Sequence, residues 1–193
     1  MRPATILVLF GAVVSSACTT EASPEPAPQA TGPVATTGAG DGTDDASGVA
    51  SGEPADLVVP EGFDRVQATV TEPDGTVCEL CVWIADTAER RGRGLMFVTD
   101  LGPADAMAFV YPAPHSGSFW MKNTLLPLSI AFFDDAGRYL DAFDMEPCTG
   151  DPCPQYTTPD GFVVAVEVER GSLPSVGIVP GSVLALSEVP CPG

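Results

Sequence analysis

Leu128-Ser129-Ile130-Ala131-Phe132-Phe133-Asp134-Asp135-Ala136-Gly137-Arg138-Tyr139-Leu140-Asp141-Ala142-Phe143-Asp144-Met145 is the stretch on which the fold turns. Two short runs rich in Phe, Ile and Tyr flank Asp134 to Gly137. Asp folds its side chain back onto its own backbone and Gly accepts a positive φ, so this reads as a β-hairpin. Outward along the chain the same pattern recurs at Val66 to Val70, Val77 to Ala85, Ala106 to Tyr111, Ser118 to Lys122, Phe162 to Val168 and Val183 to Ser187. Each run is bounded by Gly, Pro or Asp and is too short for a packed helix. The expectation is a mainly β fold, a compact antiparallel β-sandwich or barrel-like domain with one or two short helices, over residues 61–193. One helix is expected at Asp86-Thr87-Ala88-Glu89, an N-cap signal followed by Arg90 and Arg91 and closed by Gly92 or Gly94; a shorter turn is expected near Gly171 to Val176.

Of the 193 residues 20 are Gly and 20 Pro, so turns and irregular chain take a large share. The net charge of −18 repels nucleic-acid phosphates, and nucleic acid is not an expected partner. Residues 1–17 read as a signal peptide: the apolar run Ile6 to Val14 is about half the ~20 residues of a spanning helix, and Ser15-Ser16-Ala17-Cys18 looks like a lipobox. Cys18 is the expected lipidation site, although Ser15 stands where Leu is usual. That places the protein outside the cytoplasm, attached to a bacterial membrane through two acyl chains. Residues 18–60 carry seven acids and, after Cys18, no aromatic residue, Lys or Arg. Such a stretch offers too little apolar surface to offset backbone entropy and reads as a disordered acidic tether.

An exported compartment favours oxidised thiols. Cys148 and Cys153 flank Thr149-Gly150-Asp151-Pro152, a turn that brings them within disulfide reach. Cys78 and Cys81 form a CxxC inside a strand-like run, where residues three apart point to opposite faces: Cys78 inward with Leu80 and Val82, Cys81 outward with Glu79. Three arrangements stay open: one of the two pairs with Cys191, neither is bridged, or they form a redox or metal pair.

Gly94-Leu95-Met96, Met107-Ala108-Phe109, Ser118-Phe119-Trp120-Met121-Lys122-Asn123-Thr124, Pro127-Leu128 and Met145-Glu146-Pro147-Cys148 together resemble the family known as domain of unknown function 192, over about Val77 to Leu186. The resemblance implies a compact β-sandwich with short helical insertions in small, often exported proteins. It implies no biochemical activity. Ser129 stands where the family usually has Asp after Pro-Leu, so a ligand held by that carboxylate would be bound differently here.

Within the motif, period two sends Trp120, Lys122 and Thr124 to one side and Phe119, Met121 and Asn123 to the other. The plainer interpretation has Asn123 and Thr124 closing a turn while the Lys122 stem crosses Trp120. The functional one has Trp120, Lys122, Asn123 and Thr124 forming a ligand site, with an aromatic stacking face and the chain's one lysine suited to a glycan or small anion. Arg90, Arg91 and Arg93 read as a solvated helix face. His115 is the one histidine and sits in a Pro-rich loop, which disfavours His-dependent catalysis. No cofactor and no resident metal are expected. Two alternatives remain: a carboxylate-dependent hydrolase of envelope glycans, drawing on acids such as Asp134, Asp141, Asp144 and Glu146, and a copper-binding protein using Met96, Met107, Met121, Met145 and His115.

Overall fold

The computed structural model describes Cys18 and residues 58–192. The expected signal peptide and, apart from Cys18 and its last three residues, the expected tether lie outside the described residues. Along the chain run β1 (Asp64–Thr71), β2 (Val77–Ala85), α1 (Ala88–Arg93), β3 (Ala106–His115), β4 (Ser118–Trp120), β5 (Leu128–Phe133), β6 (Tyr139–Met145), β7 (Gln155–Thr157), β8 (Phe162–Glu169), a 3-10 turn (Pro174–Val176) and β9 (Val183–Pro190). Seven strands form one sheet in the order β6-β5-β8-β3-β2-β1-β9, and β4 pairs with β7 in a small second sheet. The fold is mainly β, as expected.

One pairing departs from the antiparallel expectation: β2 and β3 run parallel, Val82 opposite Ala106 and Ala85 opposite Phe109. Parallel neighbours need a long crossover, and residues 86–105 supply it, with α1 at its start. The helix begins one residue later than the sequence signal, because Thr87 rather than Asp86 caps it, Thr87 Oγ accepting from the Arg90 N–H at 3.1 Å. Gly94 ends it at φ 47°, and a Cβ there would sit 3.1 Å from the Phe109 ring. Glycine therefore lets the helix end lie directly on β3. The Trp83 indole N–H donates to the Leu101 carbonyl at 2.8 Å and pins the rest of the crossover.

The two faces of the sheet carry separate cores. One gathers Val70, Cys78, Val82, Ala108, Phe133, Val166, Val168 and Leu184; the other gathers Trp83, Met107, Phe109, Met121, Leu128, Ile130, Phe132, Met145 and Phe162 beneath the crossover and the small sheet. With both faces covered, every residue of β5 is buried, so its sequence is apolar but for Ser129 and does not alternate. The sheet curls until its edges touch at one end: the Tyr139 N–H donates to the Ser182 carbonyl (3.0 Å) and the Leu184 N–H to the Gly137 carbonyl (2.8 Å), though no ladder closes a barrel. Gly137 must be glycine, since a Cβ at its φ of 73° would collide with the Leu184 carbonyl.

All six cysteines are bridged: Cys18 to Cys78, Cys81 to Cys191 and Cys148 to Cys153, with Cα separations of 5.4, 5.8 and 5.8 Å. Cys78 faces the core and Cys81 the rim, so the CxxC does not close on itself. A thioether lipid would need the Cys18 sulfur that is bonded here to Cys78.

Candidate functional site

Phe119 leaves β4 into the core, 5.3 Å from the Phe109 ring centroid and 5.8 Å from that of Phe132. Trp120, at the end of the strand, is 46% exposed, and Met121 is buried again. Beyond it the period-two expectation fails. Asn123 takes a left-handed conformation (φ 57°), which reverses the chain and turns Thr124 inward to 5% exposure. The reversal is fixed by backbone bonds. The Asn123 N–H donates to the Cys148 carbonyl (2.7 Å), the Cys148 N–H to Met121 (3.2 Å), and the Phe97 N–H to Asn123 (2.8 Å). Phe97 is also left-handed, at φ 63°.

Lys122 is not a free charge. Its Nζ lies 3.0 and 2.9 Å from the two carboxylate oxygens of Asp151 and 5.7 Å from the Trp120 ring centroid. The Cys148–Cys153 bridge closes the loop that carries Asp151. An anion approaching Trp120 therefore meets a neutralised pair. Of the four motif residues singled out by sequence, Trp120 and Thr124 line one cavity and Lys122 and Asn123 do not.

That cavity, about 40 Å³, lies between the end of α1 and the residues after it (Arg91 to Met96), Phe109 of β3, Phe119 and Trp120 of β4, Thr124, and Glu167 of β8. It has room for two or three water molecules at ~15 Å³ each. Glu167 sits mid-sheet between Met107 of β3 and Ile130 of β5 and is 4% exposed. Among the described residues no hydrogen bond or ion pair reaches its carboxyl. Burial raises its pKa to about 8, so it is mostly neutral at pH 7. Sequence reasoning missed it. The signal was there: an acid alone inside the apolar run Phe162 to Val168.

Other flagged residues have partners in the fold. His115 stacks on Tyr111 (4.4 Å) and meets Phe162 edge-on (5.5 Å). Burial raises the Tyr111 pKa, the Arg91 charge opposes this, and Glu167 adds to it. Met107, Met121 and Met145 are buried core side chains. Asp134 binds Arg138, while Asp144 and Glu146 lie beside Arg170 at 3.9 and 2.6 Å. Ser129 donates to Asp144 (2.5 Å) and accepts from the Gly171 N–H (2.9 Å), so a carboxylate is supplied across the strand pair.

Among curated proteins none matches the chain. Solved structures that resemble the fold include the following two. A Sinorhizobium meliloti protein described as a candidate transcription regulator is 22% identical, with TM-score 0.55, covering 64% of this chain and 95% of its own. A Novosphingobium aromaticivorans protein of unknown function is 27% identical, with TM-score 0.56, covering 65% of this chain and 87% of its own. The family model DUF192, described as "Uncharacterized ACR, COG1430", matches residues 69–186. With more than half its length inside that match, this chain belongs to the DUF192 family.

Proposed function

We propose that the chain is an extracytoplasmic module of the cell envelope that binds a small ligand, a glycan above all, over Trp120 and the cavity beside it. The supporting observation is Trp120 itself, a half-exposed ring at the rim of a cavity that holds an unpartnered acid. A flat aromatic face suits the C–H face of a sugar ring. With the Lys122 charge held by Asp151, recognition rests on stacking and hydrogen bonds. A two-carboxylate hydrolase would need a second acid across the cleft, and Glu167 is the one acid among the lining residues. Titration with a panel of envelope glycans, read by tryptophan fluorescence, tests the proposal, because Trp83 is buried and Trp120 dominates any change. Saturable quenching that disappears in Trp120→Ala supports it; quenching unaltered in that variant, or none across the panel, removes it.

Membrane attachment belongs to the same proposal. Two disulfides, Cys81–Cys191 and Cys148–Cys153, are compatible with a lipidated Cys18 and fit an oxidising compartment. The Cys18 sulfur carries either a thioether lipid or the bond to Cys78, so the acylated protein keeps Cys78 as a buried thiol. Denatured protein from the membrane fraction should then show one reactive thiol per chain and a diacylglyceryl mass increment. A soluble protein with no reactive thiol and no increment sinks the anchor and leaves the ligand site intact.

A further inference from the structure

We propose that the loop face carrying Val58, Phe97 and Leu125, beside Trp120, docks onto the surface of a lipid bilayer. The proposal rests on the membrane attachment argued above for bringing the domain to a bilayer, and adds which face of the domain meets it.

Among the described residues eight large apolar side chains are exposed, and four of them, Val58, Phe97, Trp120 and Leu125, belong to segments that adjoin one another. Met96 and Thr124 form an isolated antiparallel bridge, and the Phe97 N–H donates to the Asn123 carbonyl at 2.8 Å, so Phe97 and Leu125 flank one bridge. Met96, Thr124 and Trp120 line the same cavity. Val58 pairs with Thr99, two residues beyond Phe97: its N–H donates to Thr99 Oγ1 and the Thr99 N–H to its carbonyl, both at 2.9 Å. Beside them lies a groove of about 230 Å³, lined chiefly by Val58, Val59, Pro60, Phe63, Met96 and Val98. The other four exposed side chains stand on β2, β6 and β9, where extended backbone presents them without strain. Phe97 differs. It is 59% exposed, the highest fraction of the eight, at a φ of 63° that a residue with a Cβ adopts only at a cost. Core packing does not offset that cost, because most of the residue lies outside the core. Such a ring is held outward by the fold rather than left there by strand alternation.

The occupant follows from where the chain enters the domain and from how little surface is on offer. Residues 19–57 join Cys18 to Val58, so in the acylated protein the covalent link to the lipid reaches the domain at this face. Four side chains, each about half exposed, present on the order of 400 Å². Each partner in a standard protein interface contributes about 800 Å². The patch is too small to hold a second protein from free solution, whereas a tethered domain meets its bilayer at high effective concentration and needs only weak docking. Phe, Trp and Leu are the side chains that lodge between head groups and acyl chains. Charge gives no help. Lys122 is held by Asp151, Arg93 is held by the Glu61 carbonyl, and residues 61–193 carry nineteen acids against seven bases. Docking is therefore apolar, and an anionic bilayer should repel the domain at low salt.

The test uses the mature chain with its Cys18–Cys78 bridge and no lipid, so that its result does not depend on acylation. Phosphatidylcholine vesicles with brominated acyl chains quench Trp120 when this face reaches the interface, while Trp83 is buried. Quenching should rise saturably with lipid. Phe97→Ser should weaken partitioning about tenfold and Leu125→Ser about threefold, whereas Val77→Ser on β2 should leave it within about 1.5-fold. Adding phosphatidylglycerol should weaken partitioning at low salt, and added salt should restore it. Phe97→Gly relieves the left-handed backbone, so it should melt at or above the parent while partitioning as weakly as Phe97→Ser, which separates docking from a role in the fold. No quenching at millimolar lipid, equal quenching of parent and Phe97→Ser, tighter binding to anionic vesicles at low salt, or a Phe97→Gly protein that melts well below the parent overturns the inference. A dimer that Phe97→Ser abolishes, in a chain that no vesicle binds, overturns it in favour of a second copy. Vesicle binding by a chain that cells never acylate leaves this face standing without the anchor; an acylated chain in which Phe97→Ser leaves the quenching of Trp120 unaltered does the reverse.

Discussion

Asp134 at the hairpin turn and Glu167 on the cavity floor belong to the same sheet and meet opposite fates. Asp134 accepts hydrogen bonds from the backbone N–H groups of Ala136 and Arg138 (2.9 Å each) and from the Arg138 side chain (2.8 Å). Arg138, first through that side-chain hydrogen bond, holds the Asp134 carboxyl below the usual carboxylate range. Glu167 has no such partner, and burial alone pushes it up to about 8. The first acid is part of the architecture and works as an anion. The second is a cost to the fold that a ligand could offset, and that separates a structural acid from a candidate binding group.

The largest way to break this contrast is Glu167→Gln. The folded pKa of Glu167 lies above its ordinary value of 4.5, so between pH 4.5 and about 8 the folded state holds a proton that the unfolded chain releases. Stability therefore falls as pH rises through that window, by up to about 5 kcal/mol if the whole shift is expressed. Glu167→Gln should remove this slope, leaving parent and variant similar near pH 4 and the variant clearly more stable near pH 9 in denaturant melts. Parallel pH profiles for the two proteins would mean that Glu167 is paired in solution.

Such an acid was hidden from the sequence for a definable reason. Period-two and apolar-run arguments located β2, β5 and β6 to the residue and sent Cys78 inward and Cys81 outward, because those positions obey local strand geometry. They missed β7, whose three residues pair with β4 alone, and the parallel contact of β2 with β3, which depends on where a crossover returns. Period two puts Thr124 on the Trp120 side, whereas the alternative in which Asn123 and Thr124 close a turn is the one that the left-handed Asn123 and the inward Thr124 follow. Lys122 looked free because its partner Asp151 is twenty-nine residues away. The cavity joins α1, β3, β4 and β8, so it exists only after the chain is assembled.

An intermediate effect comes from making a satisfied charge unsatisfied beside Trp120. The Cys148–Cys153 bridge closes a very short loop and restrains the unfolded chain little, so replacing both by Ser should cost about 2 kcal/mol and leave the sheet intact. The freed loop would carry Asp151 away from Lys122 and return a positive charge to the surface near Trp120. Affinity for an acidic glycan measured at low salt should then rise modestly, about twofold to threefold, and the gain should vanish at high salt. Unchanged affinity at both salt levels would mean that Lys122 plays no part in attracting the anion.

The smallest effect is expected where every bond is already made. Asp134→Asn keeps a side-chain oxygen for the turn N–H groups but loses the charge facing Arg138, an exposed partner whose ion pair is screened by solvent and contributes little. The sign of its pH dependence is opposite to that of Glu167. A lowered folded pKa stabilises the protein above the ordinary Asp value of 3.8 and is lost as pH falls through the folded value. Parent and Asp134→Asn should therefore differ slightly near pH 7 and converge at strongly acidic pH, while Glu167→Gln diverges from the parent in the alkaline direction. The same denaturant melts run at acidic, neutral and alkaline pH separate the two acids, because one gap closes where the other opens.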